Sequence, residues 1–297
     1  MVQQERIFGS VIVGVDGLEG GRDAIALAEL LADPHSELLL AHVRALPDRL
    51  RDGSAEAQQR GEEERLADAV ELLERERAAS GVQAQVRAVA ASSPGRGLHE
   101  LAAAAGADLI VVGSSHRGFL GRVLMGNATR EALTGSPCAV AVAPRAYAKS
   151  DRRPAAIGVG YDGSPESKQA LALARRLAER MGVGLKAMQV VAVAGPAYAG
   201  FGGVAWGEAL EEIRADVQSE LQQAVGSGVE ARAMLGIAGE ALAELGEEVG
   251  LLIVGSRGYG PVRTLLLGST ARYLARHARS PLLVAPRPPA DHAGAVD

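Results

Sequence analysis

The sequence predicts an α/β protein built from two tandem, doubly wound domains, each a parallel sheet flanked by helices. Three observations carry this reading. Short β-branched runs alternate with long helical stretches along the whole chain. Segments such as "DLIVVG" at 108–113 are apolar almost throughout, as strands are when helices cover both faces of the sheet. The chain also repeats itself. "VIVGVDG" at 11–17 returns as "IGVGYDG" at 157–163, "LLLAHV" at 38–43 as "LKAMQV" at 185–190, and "ADLIVVGSSHRG" at 107–118 as "VGLLIVGSRGYG" at 249–260. The offset is 146 to 147 early and 142 late, too long for a solenoid repeat and right for a duplicated domain.

In the first half the pattern predicts strands near 7–15, 37–43, 83–89, 108–112 and 139–143, with helices near 21–33, 54–80, 97–106 and 122–134 filling the gaps. In the second half it predicts strands near 156–161, 184–190, 229–235, 250–254 and 282–285. The joint falls near "PRAYAKSDRRPA" at 144–155, where proline, charge and turn formers interrupt the apolar pattern. The expected domains are therefore 1–146 and 154–288, followed by a flexible tail at 289–297.

Composition narrows the function classes. The net charge of −5 gives no general attraction to nucleic acid or to anionic membranes. Cys138 has no disulfide partner in the chain, so a reducing cytoplasm is the simplest compartment. The N-terminal stretch "MVQQERIFGSVIVGVDG" reads as a first strand and not as a signal peptide. No segment approaches the roughly 18 apolar residues that span a bilayer, and no Cys/His cluster has metal-ligand spacing.

The chemistry concentrates in two glycine-rich stretches, "GSSHRGFLGRVLMGNA" at 113–128 and "GSRGYGPVRTLLLGST" at 255–270. Each follows an apolar strand and runs into a helix. Glycines let a backbone approach a ligand, and the N–H groups at a helix start favour anions. An acidic residue, Asp16 or Asp162, closes the first strand of each half and precedes a glycine. There it can accept hydrogen bonds from a ribose or a base edge; "DGSPES" is also a good helix-capping sequence, with Ser164 before Pro165. Gly158, Gly160 and Gly163 match the dinucleotide fingerprint only formally. Asp162 would sit where pyrophosphate must approach, and Ile12 replaces the first glycine in the other half. No Gly-Lys pair exists for a Walker loop, and no G-x-S-x-G for a serine nucleophile.

With "GVDG", "GYDGSPES", "GSSHRG" and "GSRGYGPVRTLLLGST", the chain resembles the universal stress proteins over both halves, in the tandem form common in actinobacteria. The family pattern is Gly, two residues, Gly, nine residues, Gly, then Ser or Thr, and residues 255–269 fit every position. The resemblance implies a five-stranded parallel sheet of order 3-2-1-4-5 in each half, and ATP, with or without magnesium, as the ligand. It implies that Asp162 meets the ribose and adenine end and that Val190 contacts adenine through its backbone. Gly255, Arg257, Gly258, Gly268, Ser269 and Thr270 would surround the phosphates. In the first half Asp16, Val43, Gly113, His116, Arg117 and Gly126 take the matching places, but His116 stands where the second glycine belongs and Asn127 replaces the Ser or Thr. The two sites are thus expected to be unequal, with a protonated His116 attracting phosphate at low pH. The resemblance also implies pairing through the fifth strands, "AVAVAP" and "PLLVAP", within one chain or in a homodimer. The resulting expectation is a cytoplasmic, ATP-binding stress-response regulator with an unidentified signalling partner. A nucleotide-free interaction module and a slow ATPase or adenylyl-transferase are the alternatives. Tyr198, Phe201 and Trp206, in a glycine-rich stretch after the second half's second strand, are read as a lid over a purine.

Overall fold

The structure, a computed structural model, describes residues 6–46, 55–114, 126–150, 153–192, 203–256, 265 and 267–286, with only the backbone at 55–58, 127 and 203–206. The first repeat runs β1 (Ser10–Gly14), α1 (Glu19–Leu31), β2 (Glu37–Ala45), α2 (Ala55–Ser80), β3 (Gln85–Ala91), α3 (Pro94–Ala105), β4 (Leu109–Gly113), α4 (Asn127–Leu133) and β5 (Ala139–Ala143). A short 3-10 turn (Tyr147–Lys149) follows. The second repeat runs β6 (Ala156–Gly160), α5 (Pro165–Met181), β7 (Gly184–Ala192), α6 (Gly203–Val225), β8 (Val229–Gly236), α7 (Ala238–Glu248), β9 (Leu251–Gly255), α8 (Ser269–His277) and β10 (Leu282–Ala285).

The predicted fold class holds, and the two sheets join. Ten strands form one sheet in the order β3-β2-β1-β4-β5-β10-β9-β6-β7-β8. Within each repeat the order is 3-2-1-4-5 and every pairing is parallel. At the junction β5 and β10 pair antiparallel, with Leu282 opposite Val142, Leu283 opposite Ala141 and Val284 opposite Val140. The strands of the two repeats therefore run in opposite senses at the junction, and their carboxyl ends lie on opposite rims of the sheet. β5 and β10 are buried along their whole lengths. Each face of the sheet carries one apolar cluster that draws on both repeats. One contains α1 and α5 residues such as Leu27 and Leu177, the other α3, α4, α7 and α8 residues such as Leu133 and Leu274.

Two polar devices add to this junction. Asp23, 2% exposed on α1, accepts the backbone N–H groups of Ala146 and Ala148, each at 2.8 Å, and so fixes the turn that leads into the second repeat. Burial pushes its carboxyl above the usual range, and those two amide donors oppose the shift. Arg180 of α5 reaches back to the first repeat. Its guanidinium pairs with Asp33 at 2.5 Å and donates to the carbonyls of Leu30 and Leu31, at 3.2 and 2.8 Å, at the end of α1. A cation there satisfies carbonyls that the helix leaves open and complements its dipole.

Strand boundaries differ from the sequence reading in one instructive place. β1 begins at Ser10, because the N–H groups of Ile7 and Phe8 bond to the Asp33 carboxylate and not to a neighbouring strand. Among the described residues no helix is long and apolar enough to cross a membrane.

Candidate functional site

In an open parallel sheet, ligands sit at the carboxyl ends of the strands, where the chain order reverses. In this sheet those places lie between β1 and β4 in the first repeat and between β6 and β9 in the second. Each holds a cavity, of about 290 Å³ and 480 Å³ respectively. The larger is well inside the range of small-molecule sites and the smaller is at its lower limit.

The second cavity gathers six of the sequence-predicted residues. Asp162, Val190, Gly255, Gly268, Ser269 and Thr270 all line it. Arg257 and Gly258 lie outside the described residues. Asp162 stands at the end of β6 in a turn made possible by Gly163, whose φ of +79° suits only glycine well. Its Oδ1 accepts the Ser164 N–H at 3.1 Å and the Ser164 hydroxyl. The same hydroxyl oxygen caps α5 by accepting the Ser167 N–H at 3.1 Å, so one serine both starts the helix and steers the carboxylate. Burial works to raise the Asp162 pKa, but the hydrogen bonds from Ser164 and Ser167 outweigh it and hold the group below the usual carboxylate range. Asp162 is therefore an anion at neutral pH.

In the same cavity as Asp162, Gly268 is the N-cap of α8 and has no side chain with which to cap the helix. The first amides of α8, with the Ser269 and Thr270 hydroxyls, form a donor-rich wall at the positive end of a helix dipole. Ser256 was not singled out in the sequence, yet it lines the same cavity. It is 6% exposed, and among the described residues its hydroxyl has no hydrogen-bond partner. A buried, unsatisfied hydroxyl at a cavity wall is costly unless something else fills its valence.

The first cavity brings together Asp16, Val43 and Gly113. Gly126 is the N-cap of α4 and Asn127 its first residue, while His116 and Arg117 lie outside the described residues. The walls are less polar than in the second cavity. Leu18 stands where Ser164 stands in the second repeat, so no hydroxyl follows Asp16 there; the Asp16 Oδ1 accepts the Leu18 backbone N–H at 3.0 Å. His42, another residue absent from the sequence reading, lines this cavity, and its Nδ1 lies 2.8 Å from the Val15 carbonyl oxygen.

The glycines that end β4 and β9 have a second use. A Cβ on Gly113 would land within the carbonyl group of Gly20 on α1, and one on Gly255 would come within 2.8 Å of the Glu166 backbone on α5. Helix backbone demands glycine at both positions. Among the described residues no group of three or more His, Cys, Asp or Glu side chains is placed to hold a metal ion. Of the aromatic lid residues, Tyr198 and Phe201 lie outside the described residues, and Trp206 is described only as backbone in α6.

Comparison with known proteins gives one consistent answer. The family model described as the universal stress protein family matches residues 8–144 and again residues 155–286. A universal stress protein of Mycolicibacterium smegmatis is 32% identical over 186 residues, covering 60% of this chain and 61% of the relative. One from Mycobacterium tuberculosis is 30% identical over 197 residues, covering 60% and 62%. The chain thus spans about three fifths of the length of the curated relatives it matches. Among solved structures, a protein from Pseudomonas aeruginosa described as a universal stress protein shares the fold with a TM-score of 0.63 at 18% identity, covering 94% of both chains. A universal stress protein from Archaeoglobus fulgidus does so at 0.61 and 20%, covering 94% of this chain and 98% of that one.

Proposed function

Because this chain belongs to the universal stress protein family, we propose that it is a nucleotide-responsive regulator whose second cavity binds ATP. The observation that carries this reading is the convergence of Asp162, Val190, Gly255, Gly268, Ser269 and Thr270 on one cavity of about 480 Å³. In this reading the Asp162 carboxylate accepts from the ribose hydroxyls, and the backbone at Val190 meets the adenine edge. The phosphates face the first amides of α8, where negative charge is favoured. The Ser256 hydroxyl finds its missing partner in the ligand, and Arg257 adds charge. Magnesium, where present, would neutralise phosphate oxygens. The reading is retention and sensing of nucleotide in place of rapid turnover.

The first repeat supports weaker binding. Its cavity is smaller, and no hydroxyl stands at Leu18 to brace Asp16. The whole protein is read as a cytoplasmic stress-response component.

The test is direct. Freshly purified protein is denatured and the released small molecules are identified and counted. ATP at about one equivalent per chain, lost in Gly268→Asp, is the expected result. Protein that releases no nucleotide and shows no ATP binding by calorimetry would refute the reading.

A further inference from the structure

The α4 helix starts at the first cavity, and the turn that follows it meets the second repeat. At its start, Ala128 and Thr129 line the first cavity, and the Thr129 hydroxyl donates to the Gly113 carbonyl at 3.0 Å. At its end, the turn after Thr134 meets the second repeat through a reciprocal pair of backbone bonds. The Gly135 N–H donates to the Leu265 carbonyl at 2.8 Å, and the Leu265 N–H donates to the Ser136 carbonyl at 2.9 Å. Leu265 is wholly buried and lies three residues before Gly268, where the donor-rich wall of the second cavity begins. This connection follows from the antiparallel junction. α4 runs from the carboxyl rim of the first repeat towards its amino rim, which is where the carboxyl rim of the second repeat lies. Seven residues of helix span about 10 Å as a stiff rod.

We propose that α4 couples the two cavities: the turn at Gly135 and Ser136 holds Leu265, three residues before the Gly268 cap at the second site, so that each repeat senses the nucleotide state of the other. Gly135 and Ser136 are positioning residues, since they bond to Leu265 and line neither cavity. The coupling rests on the ATP reading above, and by linkage it acts equally in both directions.

The experiment follows amide hydrogen exchange across an ATP titration of the full chain. Protection of Ser269 and Thr270 reports occupancy of the second site. In the unaltered protein the Gly135 amide should gain protection with the same ATP midpoint as Ser269. Gly135→Ala should then raise that midpoint about 3- to 10-fold, in the range found for residues that transmit coupling. Gly135 has a φ of +89° that alanine resists. Gly106→Ala is the control. Gly106 ends α3 in the same repeat with a φ of +59° and open space around it, so it carries similar strain without touching the second repeat. If Ser269 is protected while Gly135 is not, or if the two variants shift the midpoint equally, the coupling is wrong and ATP binding stands. If ATP protects no amide in the unaltered protein, both readings fall. Should Gly135→Ala fail to fold, the midpoint at Gly135 in the unaltered protein decides the matter.

Discussion

Cys138 shows how burial sets a side chain's chemistry. It sits at the base of β5, 7% exposed, with the Ser136 hydroxyl beside it. Burial pushes its thiol from an ordinary 9.0 up to about 12, with the Ser136 hydrogen bond opposing. The folded protein therefore keeps this proton over a pH range in which the unfolded chain gives it up. Stability should fall as pH rises from about 9 towards 12, with a slope of at most about 1.4 kcal/mol per pH unit from this group. Urea unfolding midpoints measured from pH 8 to 10.5 should drop more steeply for the unaltered protein than for Cys138→Ala. Parallel curves would mean that the thiol is not held neutral by the fold. The Asp162 carboxylate behaves in the opposite sense. Its lowered pKa adds stability above the ordinary carboxylate range that is lost only as pH falls below it. Its contribution is small because the residue is exposed.

At the scale of elements, the contact between a strand end and a helix decides what glycine is for. Gly113→Ala would drive a methyl group into the Gly20 carbonyl, where backbone faces backbone and neither side can yield cheaply. It should cost about 3 kcal/mol or more, at the upper end of overpacking. Gly255→Ala, with its nearest backbone atoms at 2.8 Å, should cost less. Chemical denaturation of the two variants checks the order, and a Gly113→Ala protein as stable as its parent would contradict the α1–β4 packing. Sequence reasoning found both glycines and credited them to the ligand, because a repeat of glycines cannot say whether a phosphate or a helix approaches. It placed β5 and β10 to the residue, since each is an apolar run bounded by proline on its carboxyl side. It started α3 three residues late, at 97 instead of Pro94, although Ser93 and Pro94 carry a capping signal that was legible. It could not find Ser256 or Leu265. Their importance lies in an orphaned hydroxyl and a contact between repeats, and neither leaves a local pattern.

At the scale of the molecule, the halves share more than a boundary. Cutting between them would expose the fully buried edge of β5 or β10 and split the apolar cluster on each face. It would also remove Arg180 from the end of α1. Either half expressed alone should pair with itself or aggregate, because an uncovered apolar edge strand is a template for another chain. Light scattering after size exclusion reads this out, and a monodisperse monomeric first half would contradict it. The duplication itself was plain in the sequence. The fusion of two sheets into one was expected only through resemblance, because strand order across a junction depends on which edges meet and not on the residues of either edge alone.

The antiparallel pairing of β5 with β10 also decides how the chain comes apart under traction. β10 is the last of the described strands along the chain, yet it lies in the middle of the sheet, held by β9 on one side and β5 on the other. Of the described strands, this central one is the first that an unfolding machine pulling on the chain after Ala285 meets. Drawing β10 out breaks two rows of backbone bonds together, opens the buried edge of β5 and parts both repeats in one step. Traction on the chain before Ser10 meets β1 first among the described strands, and its partners β2 and β4 belong to the first repeat alone. Traction on β10 therefore acts on both repeats at once, whereas traction on β1 acts first on pairings within the first repeat.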